Sequence, residues 1–298
     1  MKKKIVTLTV PLELQADSKT NVLASILSKA NGKRIDGLFH TNQPHSVAAL
    51  VATLKGYPKG RIYCLASPIE CHADHKTVYI VNQATLTNQQ ELSIVETLNA
   101  FLQQDGIRLD IVGEGLWLFT MEHHTDVKFV TPHSLWGKSM ASHLPTGQDA
   151  VYWRRLLTEC QMILSQTLSV WFWGNGIDNV ALECDFDVLY TDDLILRSKA
   201  MNAKITTQPL IDCWSDAPLK TGNKLCFTPN STQCEAFEQQ WLLPLLKALK
   251  SGEISALQLI TQEKNQYTLL HRHLYYFWRK TQPLTAFLDN GLMSFNEY

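Results

Sequence analysis

The fold is decided by residues 152–176, which read YWRRLLTECQMILSQTLSVWFWGNG. The first part predicts an amphipathic helix, because apolar residues recur at helical spacing and charged residues take the opposite side. The predicted apolar face consists of Trp153, Leu156, Leu157, Cys160, Ile163 and Leu164. A buried strand, Ser169–Trp173, is expected next, followed by Gly174-Asn175-Gly176. Glycines at this point permit either a tight connection after a core strand or a close approach of the backbone to a ligand.

The composition is that of a globular protein. The chain has 298 residues, 45% of them hydrophobic, which is enough for one large domain or two intimate ones. Lys and Arg total 27 against 28 Asp and Glu, for a net charge of -1. This balance argues against nucleic acid and an anionic membrane surface as partners.

The N-terminus and the cysteines indicate a cytoplasmic protein. Residues 1–15, MKKKIVTLTVPLELQ, have a basic start, but the apolar run is short and alternates as in a first strand. No apolar run approaches the roughly 20 residues that span a bilayer. The seven cysteines are an odd number without Cys-x-x-Cys spacing, so we expect mostly reduced, buried thiols.

The order of the predicted elements indicates an α/β fold with a mixed sheet flanked by helices. The predicted strands are Ile5–Val10, a short one near Leu38, Arg61–Ala66, Thr77–Asn82, Ile107–Val112, Leu116–Met121, Ser169–Trp173, Phe186–Tyr190 and Ile254–Ile260. The predicted helices are Asn21–Lys29, Ser46–Leu54, Asn88–Gln104, the helix after Thr191-Asp192-Asp193, and Glu235–Lys250. Thr87 with Gln90 predicts a capping box, and residues 206–232 are expected to be a long irregular connection.

Two clusters have the side chains of a metal site. The first consists of Cys71, His72, Asp74 and His75, and the second of His123, His124 and Asp126. Thiolate, imidazole and carboxylate are metal ligands. The first cluster is expected in a loop before a strand, where the same residues are also explained as solvated polar groups.

Other residues suit an anion. His133, Gly137 and Lys138 present an imidazole and an ammonium, although the same segment fits an ordinary solvent-facing loop. Arg154 and Arg155 are able to clamp a carboxylate or phosphate, but one of them is expected to pair with a neighbouring acid. Asp192 and Asp193 are interpreted as residues that complement a helix dipole.

The C-terminal segment alternates aromatic rings and cations. Residues 275–280, YYFWRK, have the pattern of a base-stacking surface, of a buried terminal element, or of a patch that binds a protein partner. The neutral net charge favours the second of these.

Several of these features together resemble the bacterial RpfE-type regulatory protein family, whose members are often labelled phosphoglycerate mutase-related. The resemblance covers most of the chain and rests on Ala66-Ser67-Pro68, the Trp117 strand, the Trp153 helix, WFWGNG at 171–176, FEQQWLLPLLKAL at 237–249 and FWRKTQPLTAFL at 277–288. It implies a regulatory protein.

Residues 66–205 are more distantly similar to archaeal-type cofactor-independent phosphoglycerate mutases of the alkaline phosphatase superfamily. Thr131–Lys138 resembles their Pro-His-x-x-Gly step with one extra residue, Trp171–Gly176 their aromatic strand, and Asp192–Met201 their returning helix. The resemblance implies part of that architecture. On this basis we expect a single α/β unit, 1–298. Its subregions are a core start (1–65), a mutase-insertion-like region (66–205) and a polar connection with a C-terminal tail (206–298).

The chain departs from the mutases where they perform chemistry. Those enzymes use a Ser nucleophile and two divalent metals. Here Val10-Pro11-Leu12-Glu13 replaces their first Asp-Gly motif, and nothing after Met201 resembles their Gly-His-Asp-Gly cluster.

The leading functional hypothesis is a non-catalytic regulatory or scaffolding protein, a degenerate mutase relative without a cofactor, which binds a small anionic metabolite. The candidate binding residues are His133, Gly137, Lys138, Arg154, Arg155, Trp173, Gly174, Asn175 and Gly176. One alternative is a metal-assisted hydrolase or phosphotransferase that uses the two clusters. Another is an interaction module that binds a protein partner, or a second copy of itself, through the aromatic tail.

Overall fold

The computed structural model of this protein describes residues 4–11, 21–41, 43–75, 77–122, 126–164, 167–178, 180–214, 222–230, 234–261, 264–276 and 280–281. Within these ranges, no helix combines the length and the apolar character that crossing a membrane requires.

The elements alternate between strands and helices along most of the chain. The strands are β1 (Ile5–Thr9), β2 (Asn31–Arg34), β3 (Ile62–Ala73), β4 (Val78–Gln83), β5 (Arg108–Gly113), β6 (Leu116–Met121), β7 (Lys138–Ser139), β8 (Leu168–Trp173), β9 (Val188–Tyr190), β10 (Thr206–Gln208), β11 (Lys224–Phe227), β12 (Ala256–Ile260) and β13 (Asn265–Leu270). The helices are α1 (Asn21–Lys29), α2 (Val47–Leu54), α3 (Asn88–Leu102), α4 (Ala150–Leu164), α5 (Leu194–Asn202), α6 (Cys234–Phe237) and α7 (Leu243–Ser251). A π-helical turn, Glu238–Leu242, joins α6 to α7.

The described residues form two compact units. Unit 1 lies within Met1–Thr41 and Ala181–Met293, and unit 2 lies within Asn42–Val180. Each unit has its own sheet and its own buried apolar cluster. The expected subregion limits at 65 and 205 differ from the limits of the units, because a core forms from elements that pack together regardless of their order in the chain.

Unit 1 contains a mixed sheet of seven described strands in the order β10-β9-β11-β1-β12-β13-β2. The strands β10, β9, β11, β1 and β12 are mutually parallel, whereas β13 is antiparallel to β12 and to β2. Parallel strands need crossover connections, which α5 and the helical segment α6–α7 provide. The predicted fold class, a mixed sheet flanked by helices, is confirmed.

The two faces of this sheet are covered by different elements. On one face, Val6 and Leu8 of β1 pack in a large cluster that includes α1 and α7. On the other face, Leu189 of β9 and Cys226 of β11 pack with Ala200 of α5. Alternate residues of a strand point to opposite faces, so Thr7 lies on the α5 face.

Unit 2 contains an antiparallel sheet in which the long strand β3 pairs with β4, β6 and β8. The helix predicted within 152–176 is found as α4, and the strand after it as β8. Trp153 of α4 is 1% exposed, and its ring centroid lies 5.1 Å from that of Phe172 in β8. Edge-to-face contacts of this kind between buried aromatic rings stabilise the packing of the helix against the strand.

Predictions that depend on local signals are confirmed. The side chain of Thr87 accepts a hydrogen bond from the Gln90 backbone, and the Gln90 side chain accepts one from the Thr87 backbone. Asp193 caps α5 by accepting a hydrogen bond from Leu196 N at 2.8 Å. The predicted strands Ile107–Val112 and Leu116–Met121 are also present as β5 and β6, which pair in antiparallel register as a hairpin.

Three local predictions are wrong. Residues 206–232 are not one irregular connection, because β10 and β11 lie within them and β11 pairs with β1. The strand β3 continues to Ala73, so Cys71 and His72 belong to a strand rather than to a loop. Leu38 is irregular, and the polar segment Asn31–Arg34 forms the edge strand instead.

Candidate functional site

The Gly174-Asn175-Gly176 turn is held by backbone contacts inside unit 2. The carbonyl of Gly174 accepts a hydrogen bond from Ala48 N at 2.9 Å. A Cβ at position 176 would lie 2.7 Å from the carbonyl carbon and oxygen of His45. Asn175 donates from Nδ2 to the carbonyl of Val127 at 2.6 Å. The turn therefore packs against the segment that leads into α2, which accounts for both glycines.

The remaining predicted anion-binding residues contact different elements. Gly137 N donates to the carbonyl of Ile80 at 2.8 Å, Lys138 pairs with β4, and the exposed His133 packs its ring against Trp136. Arg154 donates from Nε to the carbonyl of Pro145 at 3.0 Å. Each of these residues therefore has a contact within unit 2, and their joint role in anion binding stays a prediction.

Arg155 and Trp173 also have partners within unit 2. The guanidinium of Arg155 lies 3.4 Å from Glu159 one turn further along α4, and 5.6 Å from the ring centroid of Tyr152. This is the pairing with a neighbouring acid that the sequence suggested for one of the two arginines. Trp173 donates from Nε1 to Ser67 Oγ at 3.0 Å.

The first predicted metal cluster is separated by strand geometry. Cys71 is buried and His72 is exposed on the next position of β3, so their side chains point to opposite faces. Burial raises the pKa of the Cys71 thiol to about 11. Asp74 accepts a hydrogen bond from Thr77 N at 3.0 Å, in a turn that also contains the exposed His75. Among the described residues, no group of three or more His, Cys, Asp and Glu side chains is placed to hold a metal ion.

Two other predictions fall partly outside the described residues. His123 and His124 lie there, so the second cluster is represented by Asp126 alone, whose backbone N donates to Asp149 at 2.7 Å. Of the aromatic tail, Tyr275 is exposed, and the Tyr276 ring lies 5.0 Å from that of His273. Residues 277–279 and 282–298 are outside the described part of the chain.

The parallel strands of unit 1 reverse their winding at the carboxyl edge of the sheet, which the sequence did not reveal. The crossover that follows β9 runs through α5 on one face of the sheet, whereas the crossover that follows β11 runs through α7 on the other face. The strands β9 and β11 are neighbours. Ligands of open α/β sheets bind at such a reversal, outside the carboxyl ends of the strands.

Hydroxyl groups join the ends of these two strands. Thr191 follows β9 and Thr228 follows β11. The hydroxyl of Thr228 donates to Thr191 Oγ1 at 2.7 Å, and Thr191 Oγ1 also accepts from Asp193 N at 3.2 Å. These bonds hold the start of α5 against the edge of the sheet.

Lys199 is the unusual residue at this edge. It lies on α5 and is only 7% exposed. Burial lowers the pKa of its ammonium from 10.5 to about 8, while the charge of Asp193 raises that pKa and the charge of Lys264 lowers it further. The charges of Asp193 and Lys264 thus act on this ammonium in opposite directions, and Asp193 also accepts the capping hydrogen bond of α5. The arrangement favours an anion, because an added negative charge stabilises the protonated form of Lys199.

Lys264 reaches this position from the turn between β12 and β13. Its backbone has a φ of 59°, and its carbonyl accepts a hydrogen bond from Ile35 N at 2.7 Å. Sequence reasoning missed both lysines, because an isolated lysine on a predicted helix or turn is ordinarily solvated. The sequence feature that could have pointed to Lys199 is its position shortly after the capped start of a predicted helix.

Comparisons with known proteins give a structural similarity and no family. No protein-family model matches this chain, and no curated protein matches it. The fold is similar to that of a cofactor-independent phosphoglycerate mutase from Thermoplasma acidophilum, with 10% identity, coverage of 98% of this chain and 96% of that chain, and a TM-score of 0.44. It is also similar to the PH0037 protein from Pyrococcus horikoshii, with 7% identity, coverage of 91% and 88%, and a TM-score of 0.42. At these values the similarity carries no argument about activity, and the RpfE-type and mutase resemblances stay predictions.

Proposed function

We propose that this protein binds a small anionic metabolite at the carboxyl edge of the unit 1 sheet, with Lys199 as the principal binding group, and acts as a non-catalytic regulatory or scaffolding protein. The observation that carries the proposal is the burial of Lys199 on α5, where the charge of Lys264 also lowers the pKa of its ammonium. A buried ammonium is costly unless a negative charge compensates it. A bound carboxylate or phosphate would add a negative charge close to this buried ammonium.

The non-catalytic part of the proposal rests on the sequence. Val10-Pro11 stands where the mutase-like enzymes have their first metal-binding motif, and the later ligand cluster has no counterpart after Met201. A protein of this kind responds to a metabolite by a change in stability or in partner binding.

The test is a titration of inorganic phosphate, citrate and 3-phosphoglycerate into the purified protein by isothermal titration calorimetry. We expect saturable binding of at least one anion by the wild type and a loss of about tenfold to a hundredfold in affinity for Lys199→Met, since hydrogen bonds to charged groups contribute roughly 1.5–3 kcal/mol. Lys250→Met, at an exposed lysine of the same unit, is the matched control and should bind as the wild type does.

Two further variants locate the site. Lys199→Arg retains the charge and should retain part of the affinity. Lys138→Met tests the segment that the sequence predicted, and we expect no effect. If Lys138→Met abolishes binding and Lys199→Met does not, the anion site lies in unit 2 and the assignment to Lys199 is wrong.

An assay of phosphate release and of mutase turnover with 3-phosphoglycerate, with and without added Mn²⁺, tests the non-catalytic part separately. We expect no turnover above the uncatalysed rate. Turnover that Lys199→Met abolishes would replace the regulatory proposal with an enzymatic one, while the anion site itself would stand.

A further inference from the structure

A second polar region of unit 1 lies over the strands beside β1, on the α5 face of the sheet. It is a cavity of about 280 Å³ whose floor is formed by Thr7 of β1, Gln258 of β12 and Gln266 of β13. Thr7 and Gln266 are each 6% exposed. Two of the three polar side chains of the floor are therefore largely removed from solvent, and Gln258 is half-buried.

Polar side chains are unexpected at these positions. In register with Thr7, the neighbouring strand β11 places Cys226 in an apolar cluster on the same face. Across β1 the same face changes to polar residues, and the hydroxyl of Thr7 donates to Gln258 Oε1 at 3.0 Å. This bond orients the Gln258 amide and does not use its Nε2 donor. A covered sheet face normally buries apolar groups, since buried polar groups cost free energy unless they are hydrogen-bonded.

The wall of the cavity is fixed in place. It is formed by the segment 35–40, which crosses the cavity between two anchored ends. Ile35 N donates to the carbonyl of Lys264 at 2.7 Å, and His40 exchanges backbone hydrogen bonds of 2.9 and 3.0 Å with Glu183. Gly37 has a φ of 129°, which residues with a Cβ rarely adopt. The cavity is thus present before any ligand arrives, and a preformed site avoids the cost of ordering on binding.

Both signs of charge line the mouth. Arg34 and His40 lie on the wall segment or directly before it, and Asp36 and Asp185 add carboxylates. The apolar residues Ile35, Leu38, Phe186 and Ile260 also line the cavity. A guanidinium binds a carboxylate through paired hydrogen bonds, whereas aspartates bind an ammonium. The volume lies near the lower end of the roughly 300–1,000 Å³ of ligand pockets, which suits a ligand smaller than a nucleotide.

We infer that this cavity binds a small zwitterion of the amino-acid class, with its carboxylate toward Arg34, its ammonium toward Asp36 and Asp185, and a polar side chain on the floor of Thr7, Gln258 and Gln266. The site is lined by residues other than Lys199, Thr191 and Thr228. It does not depend on the anion site proposed above.

The test is calorimetric titration of the full-length protein with L-serine, L-glutamine and L-arginine. For the amino acid that binds best, two analogues follow, the carboxamide that lacks the carboxylate and the hydroxy acid that lacks the ammonium. We expect one saturable site and a loss of at least about tenfold in affinity for each analogue, because each removes one charge-assisted contact.

Variants then locate the binding. Gln266→Leu removes the buried amide, and Thr7→Val removes the hydroxyl with little change in shape. Each should lower the affinity by about tenfold. Gln240→Leu, at an exposed glutamine of the same unit, should leave it unchanged. Circular dichroism identifies any variant that fails to fold. If one of the two floor variants is unfolded, the affinity of the other one tests the inference.

The inference is wrong if none of the three amino acids binds with a Kd below about 1 mM, or if the folded floor variants bind as the wild type does. It is also wrong if the hydroxy acid binds as well as the amino acid, because the site would then be a second anion site.

Discussion

Replacement of Lys199 by Met should stabilise the protein at neutral pH. The pKa of the Lys199 ammonium falls from 10.5 to about 8 on folding, and a tenfold change in proton affinity corresponds to about 1.4 kcal/mol. The buried charge therefore costs the native state roughly 3 kcal/mol at pH 7. Methionine has a similar length and no charge, so Lys199→Met should recover most of that amount, because residues selected for binding are often destabilising.

The difference in stability between Lys199→Met and the wild type should depend on pH. Below about pH 8, Lys199 is protonated in both the native and the unfolded state, so the native state bears the full free-energy cost of the buried charge. Between pH 8 and 10.5 the native state loses the proton while the unfolded state keeps it, so the stability of the wild type rises with pH. The difference between the two proteins should shrink across this window and nearly vanish above it.

The measurements are hydrogen exchange of the α5 amides and urea unfolding at pH 7, 8.5 and 10. Hydrogen exchange is needed because the two units need not unfold together. The pKa itself follows from the carbon-13 Cε shift of Lys199, assigned by its absence from the spectrum of Lys199→Met. Lys250→Met is the control and should show no pH-dependent difference.

Two results would refute the reasoning. One is a titration midpoint near 10.5 for Lys199, and the other is a stability difference that stays the same at pH 7 and pH 10. If an anion binds as proposed, a saturating concentration should stabilise the wild type more than the variant and move the pKa of Lys199 back toward 10.5.

Three substitutions test other parts of the structure by urea unfolding. Gly176→Ala should lower stability by about 1–3 kcal/mol, because the new Cβ would meet the His45 carbonyl at 2.7 Å; an unchanged midpoint would show that the turn is not closely packed. Glu91→Leu should cost roughly 2 kcal/mol or more, since Glu91 accepts a hydrogen bond from Trp117 Nε1 at 2.6 Å, whereas Glu91→Gln retains an acceptor and should cost less. Glu238→Ala removes an acceptor of a backbone N–H in the first turn of α1 and should cost about 1–2 kcal/mol, with Glu238→Gln as the milder control; equal losses in both variants would contradict this capping role.

The candidate site was only partly predictable. The glycine turn and the pairing of Arg155 with a neighbouring acid follow from residues close in sequence, and the sequence had allowed for both. Lys199 escaped prediction because a lysine on a helix of nine residues is normally exposed. Its burial results from the packing of α5 in the tertiary structure, to which parts of the chain distant in sequence contribute.

By itself, the sequence determined the elements whose signals are local. The capping box at Thr87 and Gln90, the helix α4 and the hairpin β5–β6 each depend on side chains a few positions apart, and the structure contains all three. Only the tertiary structure decided the division into two units, the strand β11 and the polar cavity. These features depend on pairings between distant residues, such as Thr7 with Gln258, which are 251 positions apart. Closing such a long loop costs conformational entropy, and the contacts of the whole sheet have to offset that cost. No local pattern records such a pairing.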